Sequence, residues 1–548
     1  LLQAQLLQPL NLNPLQPQLT ESGADIPDGL GPSIPAYNEF NPLFTRERVA
    51  AQINGLTASN NTRGVEAVVS GLTGNVSYSA GSFRYYSDGF RANNSLDQTI
   101  HDGFVQAALS PALNMQAELR SLVKDNGDLR LKFNPADYST VRTEELDTRT
   151  RRLGLRYQLS PASDLVLSLQ SQDRDSRSYD SVYSTSVTPT TSTTSTTTTD
   201  SVSSTSNRLA EMQHLHRSAR YNVVSGIGYY DGLVDKRITG TIVTCIVRPS
   251  LCPFRTTPVN TIDETNTRHV TAYSYANAQT FGELTWSLGL SADLIKNNVV
   301  GESRVNPKLG LTWTPQPTTT VRAAVFRATK RDLVTDQTIE PTQVAGFNQF
   351  FDDTNSTDAR RYGLGLDQRF AAALAGIEFS ARDLEIPVKN ASTNLVTYHV
   401  WDEQLGRAYL YWILGSRWAA TAEYQYELNL RPVEYPLDGI LKLRTQRFPL
   451  GIGYHHPSGL TWTARATYLR QVGAFVDTNK NPYVYSDGTE KIWLTDTEVS
   501  YLLPRRFGVF AVGVKNLFDK TFKFQDTDAA NPSFVPERVV YGRLNLSF

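Results

Sequence analysis

Few residues of this sequence have the types and spacing that catalysis or metal binding requires. His455 and His456 lie beside a predicted turn, and His214 and His216 lie near another, but neither pair has cysteine or carboxylate partners at ligand spacing. Solvated histidines at turns are the simpler interpretation. Residues 477–481 have oxygen-bearing side chains at alternate positions, as a calcium loop has, but the next residue is proline where such a loop needs glycine. The sequence therefore predicts no enzyme activity, no cofactor and no metal site.

The two cysteines, Cys245 and Cys252, are the other candidates for covalent chemistry. Six residues separate them, within a polar segment predicted to be a loop between residues 231 and 265. This spacing favours a local disulfide in an oxidising compartment. Two free thiols are the alternative interpretation, and a metal site would need more ligands nearby.

A larger set of charged residues alternates with apolar residues along the chain. Period-two alternation places the two sets on opposite faces of β-strands, and in a barrel the polar face is the interior. Charges of both signs there would line a water-filled path, bind a plugging segment or only solvate the interior. The predicted lumen-facing residues are Glu118, Arg120, Arg152, Arg156, Arg361, Asp367, Glu378, Arg382, Glu423, Glu427, Arg465, Asp496 and Glu498.

The strands that would position these charges are clearest at the end of the sequence. Val540, Leu544, Leu546 and Phe548 are apolar and alternate with polar residues. In water such a strand would be an exposed edge, whereas in a closed transmembrane barrel it is the closing strand. The sequence therefore predicts an all-β, transmembrane, antiparallel β-barrel whose closing strand pairs with a first strand near residues 46–57.

The bulk composition agrees with a barrel and excludes several other classes. The mean hydropathy of −0.34 is low for a membrane protein, but half of each barrel strand faces a polar interior. No run of about 18 apolar residues exists, which excludes a transmembrane helix. The formal net charge of −1 gives no general attraction to nucleic acid.

Short and long connections alternate between the predicted strands. Tight turns are predicted at 110–112, 160–163, 314–318, 457–459 and 503–506. Long polar loops are predicted at 125–147, 175–207, 231–265, 330–360 and 477–491, and the Ser/Thr tract at 184–206 is expected to be a mobile surface loop. Outer-membrane barrels have short periplasmic turns and long extracellular loops, so about ten tight turns predict about 22 strands.

Aromatic residues give an independent indication of the membrane boundary. Five tryptophans lie a few residues from predicted tight turns, and indole rings prefer the membrane interface, where the N–H group reaches water. Chance clustering of core tryptophans is the alternative interpretation. The predicted membrane girdle consists of Trp286, Trp313, Trp412, Trp418, Trp462 and Phe548.

The first 44 residues differ from the rest of the chain. Residues 1–44 are rich in Leu, Gln, Asn and Pro without a sustained period, which predicts a linker or a segment that enters the lumen or lies along the periplasmic mouth. Residues 45–548 are predicted to form the outer-membrane β-barrel. The sequence starts with Leu1 and has no signal peptide, which favours a mature or truncated chain.

Three stretches of the barrel resemble TonB-dependent receptors. Residues 304–315 (RVNPKLGLTWTP) together with 320–327 look like a central hairpin of that family. Residues 514–520 (VKNLFDK) look like its penultimate strand and last loop, and 536–538 (PER) precede the closing strand as in the family. The resemblance implies a 22-stranded barrel. The family places a plug domain before its barrel, and neither a plug nor a TonB box is recognisable in residues 1–44. The barrel also resembles C-terminal barrels of tetratricopeptide-repeat outer-membrane proteins.

The resemblance implies an outer-membrane transport channel or receptor without a standard plug, in contact with the lipid and lipopolysaccharide of a bacterial outer membrane. The alternatives are an export pore for a polysaccharide or polypeptide, working with a periplasmic repeat scaffold, and a structural anchor for surface partners. A barrel this wide is open unless it is filled. A periplasmic scaffold, or a plug from upstream sequence or another chain, is therefore a further expected partner.

Overall fold

The computed structural model describes residues 47–188, 191–247, 254–297, 301–335, 338–349, 353–389, 395–436, 439–527 and 534–548. Its strands form one closed antiparallel barrel of 22 strands, which confirms the predicted fold. The barrel strands are β1 (Arg48–Ala58), β2 (Thr62–Thr73), β3 (Val76–Ser87), β4 (Leu96–Ser110), β5 (Leu113–Asn126), β6 (Thr143–Ser160), β7 (Ser163–Val187), β8 (Ser192–Arg217), β9 (Tyr221–Val247), β10 (Phe254–Thr280), β11 (Leu284–Lys296), β12 (Gly301–Gln316), β13 (Thr319–Thr329), β14 (Asp358–Arg369), β15 (Ala373–Lys389), β16 (Val396–Leu414), β17 (Trp418–Leu430), β18 (Ile440–His455), β19 (Leu460–Asp477), β20 (Val484–Leu502), β21 (Gly508–Lys515) and β22 (Val539–Ser547).

Strands β1 and β22 close the barrel. They pair antiparallel, with Ile53 opposite Leu546 and Leu56 opposite Arg543. Beyond β22, the backbones of Phe548 and Ala51 exchange hydrogen bonds of 2.8 and 3.2 Å. The predicted pairing of the closing strand with the first strand is confirmed. Closure matters because an unpaired backbone edge is costly in lipid.

The strands alternate between an apolar outer face and a polar inner face. On β11, Leu288 and Leu290 are about half exposed at the outer surface, whereas Ser291 is buried. On β12, Leu309 is exposed and Asn306 is buried. A period of two residues produces this separation because successive side chains of a strand point to opposite faces. On these strands the buried polar residues lie on the face opposite the exposed apolar residues. That the whole predicted set of charged residues faces the lumen stays a prediction.

The two ends of the barrel have different connections. Short turns follow β4, β6, β12, β18 and β20, at the positions that the sequence predicts. The other end carries the longer connections, including residues 127–142, 330–357 and 516–538. This asymmetry is that of short periplasmic turns and long extracellular loops. We refer to the end with the longer connections as the extracellular end.

Two predicted loops, 175–207 and 231–265, are strands instead. They form the upper parts of β7, β8, β9 and β10, which are 25, 26, 27 and 27 residues long, and we call these upper parts the extended hairpins. The Ser/Thr tract pairs on both sides, with Thr198 opposite Ser181 of β7 and Thr241 of β9. Threonine is β-branched and favours extended backbone, so a polar tract need not be a mobile loop.

The predicted loop 477–491 is also mostly strand, because β19 ends at Asp477 and β20 starts at Val484. Within the short connection, Lys480 and Asn481 pair in parallel with Thr185 and Ser186 of β7. A 3₁₀ turn, Pro504–Arg506, links β20 to β21. No helix among the described residues is long and apolar enough to cross a membrane.

Candidate functional site in the barrel lumen

Charged side chains of the lumen wall form a belt of ion pairs that starts on β13. Arg322 of β13 donates hydrogen bonds to Asp367 of β14 (3.0 Å) and to Glu378 of β15 (2.9 Å). The Tyr409 hydroxyl of β16 also donates to Asp367. Two predicted lumen residues, Asp367 and Glu378, therefore meet at one buried arginine that the sequence analysis did not single out.

The belt continues along β16 and β17. Arg407 donates to Glu423 across a distance of 3.3 Å, and the Tyr411 hydroxyl donates to the same carboxylate at 2.6 Å. The Arg407 guanidinium also lies over the Tyr409 ring, 4.8 Å from the ring centroid. Glu427, the other predicted residue of β17, accepts a hydrogen bond from Asn429. The belt presents fixed charges of both signs to the lumen, where they attract water and polar solutes.

A second group of predicted residues lies on β19, β20 and β22. Glu498 accepts hydrogen bonds from Arg543 (2.7 Å) and from the Tyr541 hydroxyl (2.9 Å). Asp496 accepts a bond of 2.8 Å from the Asn516 backbone. Arg465 is exposed and stands opposite Asp496 in the strand register.

A third group lies on β4 to β8. Arg152 and Glu118 form a buried ion pair of 3.1 Å. Asp164, at the start of β7, forms ion pairs with Arg156, at 3.2 Å, and with Arg217. Arg120 stands opposite Asp102 in the strand register. The predicted lumen residues therefore form separate groups around the wall rather than one constellation.

Residues 330–357 connect β13 to β14, and we call them the inward loop. Their described parts, 330–335, 338–349 and 353–357, fold into the barrel. Ile339 and Phe347 are each 1% exposed. The Ile339 backbone amide donates to Glu211 of β8 at 3.1 Å, and the Ile339 carbonyl accepts a bond from Gln213 of the same strand. Six strands further along the wall, Arg361 of β14 donates to the Asn348 carbonyl at 2.5 Å. The loop thus spans from one part of the wall to another.

Two wall glycines make room for this loop. A Cβ atom at Gly363 would lie 2.5 Å from the Phe347 ring, and one at Gly310 would lie 2.8 Å from Ala345. Real Cβ contacts are essentially never that short, so larger residues would displace the loop. The alternation pattern assigns both glycines to the polar face but gives no sign of this packing.

A buried charge cluster fixes the base of the inward loop. Arg331 and Glu340 form an ion pair of 2.7 Å, and both side chains are almost fully buried. Glu211, from β8, faces the same arginine, and the Tyr275 hydroxyl of β10 donates to Glu340. Burial lowers the pKa of Arg331, but Glu340 and Glu211 outweigh this effect and raise the pKa overall. The arginine therefore stays charged between the side chains of Glu340 and Glu211.

Arg361 and Arg382, two predicted lumen residues, also hold the inward loop. Besides its bond to the loop carbonyl, Arg361 donates to Ser380 of β15 at 2.9 Å. Arg382 pairs with Asp353 of the loop at 2.5 Å and with Glu403 of β16 at 3.3 Å. Both arginines are buried. The contacts of these two arginines attach the inward loop to the barrel wall.

Two further connections fold over the extracellular mouth. Asp128 accepts hydrogen bonds from the Arg130 guanidinium (2.7 and 2.8 Å) and from the Ser139 backbone (2.7 Å). Between β21 and β22, Gln525 exchanges hydrogen bonds of 2.9 and 2.7 Å with Gln471 of β19. Buried apolar residues pack between these connections and the wall. They are Leu131, Leu469, Ile492, Leu494, Phe522 and Phe524.

The predicted girdle residues lie near the short turns at the outer surface. Trp286, Trp412 and Trp418 occur within a few residues of the turns that bound β11, β16 and β17. Trp313 and Phe548 are exposed, and Trp462 is half-buried. The Trp418 ring contacts the Trp462 ring edge-on, with centroids 6.5 Å apart. Their role as a membrane girdle stays a prediction.

Sequence reasoning missed the aromatic residues of the lumen. Tyr273 and Tyr275 of β10 are buried beside the inward loop, and Trp401 of β16 is buried in the same phase as Arg407. The signal was available, because Tyr273 and Tyr275 share the parity of the polar residues of lower β10, and Trp401 shares the parity of Arg407.

Two predicted features reach beyond the described residues. Residues 1–44 and Cys252 lie outside them. Cys245 lies near the end of β9, opposite Phe254, and among the described residues no cysteine is free. The Cys245–Cys252 disulfide stays a prediction, and two thiols titrated in the denatured, unreduced protein would contradict it.

Comparison with solved structures identifies the fold. The ferripyoverdine receptor of Pseudomonas aeruginosa superposes with a TM-score of 0.69 at 13% identity, over 93% of this chain and 72% of that one. The FrpB iron transporter of Neisseria meningitidis superposes with a TM-score of 0.67 at 12% identity, over 92% of this chain and 82% of that one. The ferric-catecholate import receptor Fiu of Escherichia coli superposes with a TM-score of 0.64 at 12% identity, over 92% of this chain and 82% of that one. No protein-family model and no curated protein matches the sequence.

These neighbours define the architecture as that of TonB-dependent receptor barrels of the bacterial outer membrane. The resemblance seen in the sequence is thereby confirmed at the level of the fold. The named neighbours are transporters and receptors.

Proposed function

We propose that this chain forms the barrel of an outer-membrane transporter or receptor whose path through the lumen is narrowed by the inward loop. The observation that carries the proposal is the inward loop itself. The buried Arg382–Asp353 ion pair attaches the loop to the wall, and the buried Arg331–Glu340 pair braces it internally. The wall around it carries charges of both signs. The polar wall suits a hydrated path, and the loop supplies a restriction that a barrel this wide needs. The transport roles in the neighbours' names support the same class of function, but they assign no substrate.

Single-channel conductance in a planar lipid bilayer tests the proposal. The intact chain is compared with a variant in which residues 338–349 are replaced by a short glycine linker. A matched control removes the equally long segment 184–195 from the tip of the β7–β8 hairpin, which lies above the wall. We expect the first deletion to raise the conductance and the control to leave it unchanged. Equal conductance of all three proteins would show that the inward loop does not narrow the path.

Residues 1–44 are a second candidate for filling the lumen. Their leucines cannot form a core of their own, and contact with the barrel wall would remove them from water. We therefore propose that they enter the lumen or lie along its periplasmic mouth. A chain that starts at Thr45 should conduct more than the intact chain. If the intact chain is sealed and this truncation changes nothing, the described loops are the plug and the proposal for residues 1–44 fails.

The extended hairpins favour a second function, attachment of a surface partner. Strands β7 to β10 continue well past their neighbours, and β10 pairs with β11 only from Arg268 onward. From Phe254 to Thr267 it pairs with β9 alone. Unpaired strand edges can accept an additional strand from a partner. Loss of surface binding on removal of residues 254–260 from the unpaired edge of β10, with unchanged conductance, would support the anchoring function over transport.

A further inference from the structure

The short turns at the periplasmic end of the barrel differ in charge from one side to the other. Four consecutive turns link β14 to β15, β16 to β17, β18 to β19 and β20 to β21. Arg417, Arg505 and Arg506 lie in these turns, Arg369 lies immediately before the first of them, and none of the turns contains Asp or Glu. All four arginines are exposed, and no ion pair within the described part of the chain holds any of them. We call these four arginines the basic arc.

Carboxylates do not compete for the basic arc. The other short turns, the two residues on either side of each, and the start of β1 carry equal numbers of arginines and carboxylates; these are Arg48, Arg217, Arg220, Glu47, Asp164 and Glu283. The carboxylates of the lumen wall above the arc already have cationic partners; the ion pairs are Asp367 with Arg322, Glu423 with Arg407 and Glu498 with Arg543. The excess of positive charge is therefore confined to the basic arc, where it attracts an anionic partner.

The strand register directs part of the basic arc toward the mouth of the lumen. Arg369 is in the same phase of β14 as Arg361, which binds the inward loop. Arg417 continues the ladder of β17, because its carbonyl accepts a hydrogen bond of 2.7 Å from the His455 amide. It shares the phase of Glu423, which belongs to the belt of ion pairs. Since side chains two residues apart point to the same face of a strand, Arg369 and Arg417 lie on the inner side of the wall.

The first 44 residues of the chain carry the opposite charge and join the barrel close to the basic arc. They contain no Lys, Arg or His, and their acidic residues are Glu21, Asp25, Asp28 and Glu39. Because β1 pairs with β22 and β22 pairs with β21, the start of β1 lies two strands, or about 10 Å, from the β20–β21 turn. Glu39 lies eight positions before Glu47, and a chain of that length spans at most about 28 Å. Glu39 can therefore reach this turn, and the earlier acidic residues can reach turns further along the arc.

We propose that the basic arc binds the acidic segment 21–39 of the same chain, which then lies across the periplasmic mouth on the β14–β21 side. This inference rests on the proposed placement of residues 1–44 at the mouth and adds the site that holds them. Arginine suits this role because its planar guanidinium binds a carboxylate through two parallel hydrogen bonds. Lipid headgroups are the alternative anionic partner, but they meet the outer face of the barrel, whereas Arg369 and Arg417 are in the inner phase.

Hydrogen exchange of residues 21–44 tests this proposal, measured on the full chain in an uncharged detergent that excludes anionic lipid as a competitor. The segment should be protected in the wild type. Arg505→Glu combined with Arg506→Glu should speed its exchange by about fivefold, the effect of one or two exposed ion pairs. Glu39→Lys should have a similar effect. Adding Glu39→Lys to the double variant should restore most of the protection, because the charges are then exchanged rather than opposed.

Arg220→Glu is the matched control, because Arg220 is another exposed arginine of a short turn but lies outside the basic arc. It should leave the exchange of residues 21–44 unchanged, and exchange of β22 should be the same in every variant if the barrel stays closed. Raising the salt concentration from about 0.05 M to about 0.5 M should speed exchange in the wild type, since exposed charges are screened.

Equal exchange in all variants and at both salt concentrations would overturn the proposal but leave residues 1–44 at the mouth, held by their leucines. Fast exchange in the wild type would overturn both the basic arc as a binding site and the placement of residues 1–44. Neither result affects the conductance test of the inward loop, so failure here is separate from failure of the transport function.

Discussion

The inward loop and the Ser/Thr tract of the extended hairpins are both polar segments but take opposite positions. Both were predicted as long loops at the extracellular end. The inward loop carries Val334, Ile339, Val344 and Phe347 at intervals, and all four are buried in the lumen. The Ser/Thr tract contains only two aliphatic residues, and its backbone is satisfied by pairing with β7 and β9. Between these two segments, spaced apolar anchors distinguish the connection that enters the barrel from the tract that stays in the strands.

Among the changes considered, loss of Arg331 should have the largest effect on the buried position of the inward loop. Arg331→Ala leaves Glu340 and Glu211 buried without their cation, and breaking a buried pair in this way costs about 3–5 kcal/mol. The inward loop should detach locally while the barrel stays closed. Hydrogen exchange of the 338–349 segment should become at least about a hundredfold faster.

Arg255→Ala provides the control for this change, because Arg255 is exposed on the free upper part of β10. It should not alter exchange in the loop. If Arg331→Ala also leaves the exchange rate of 338–349 unchanged, apolar anchors alone hold the loop and the charge cluster is dispensable.

Gly363→Ala should disturb the inward loop less severely. The added methyl group would meet the Phe347 ring, which is buried and cannot move freely, so overpacking should cost about 1–3 kcal/mol. Bilayer conductance and exchange of the loop should both rise. Gly103→Ala is a suitable control, because no atom lies within 4 Å of the added Cβ there. Identical behaviour of the two variants would argue against tight packing of the loop.

Acid should release a third region, the 127–142 connection, which is held by charge rather than by apolar anchors alone. Burial raises the pKa of Asp128, but hydrogen bonds from Arg130 and Ser139 outweigh burial and lower the pKa to about 2. Because the folded pKa is below the unfolded value of about 3.9, the stabilisation is complete above about pH 4 and disappears as the pH falls toward 2.

The expected loss is about 1–2 kcal/mol after allowance for solvent screening. Exchange of the 127–142 segment, measured between pH 5 and pH 2 and corrected for intrinsic rates, should show it. Asp128→Asn should remove the pH dependence. If hydrogen exchange of residues 127–142 in Asp128→Asn keeps the pH dependence of the wild type, a group other than Asp128 controls the opening of this connection.

The smallest effect is expected in the extended hairpins. Thr198→Ala removes a β-branched side chain from a partly exposed strand with no buried anchor, which should cost no more than about 1 kcal/mol. Exchange across 192–206 should change little, and the inward loop should be unaffected. A large increase throughout both hairpins would show that the Ser/Thr tract depends on specific side-chain contacts after all.

Much of the barrel was predictable from sequence because alternation of polar and apolar residues along a strand is a local pattern. Alternation of polar and apolar residues assigned Arg152, Arg361 and Arg382 to the lumen, and the short turns were found from proline and glycine. The extended hairpins were misassigned because polarity was read as disorder, although threonine favours strands.

The partners of the lumen residues could not be predicted in the same way. Arg331 and Glu340 lie in a connection, where no period applies, and Glu211 reaches them from a strand more than a hundred positions away. Such contacts depend on how a loop folds back, which is a property of the tertiary packing. Gly310 and Gly363 were likewise unremarkable in sequence, although they decide how closely the loop can approach the wall.

Closure between β1 and β22 has a consequence for how the molecule is made. Ser59 and Val540, which exchange hydrogen bonds across the seam, are 481 positions apart in the chain. Loop-closure entropy makes such distant contacts slow to form, and until they form both seam strands expose hydrogen-bonding edges that are prone to aggregation. Biogenesis of this protein therefore requires that the first strand be protected until the last one has been synthesised and inserted.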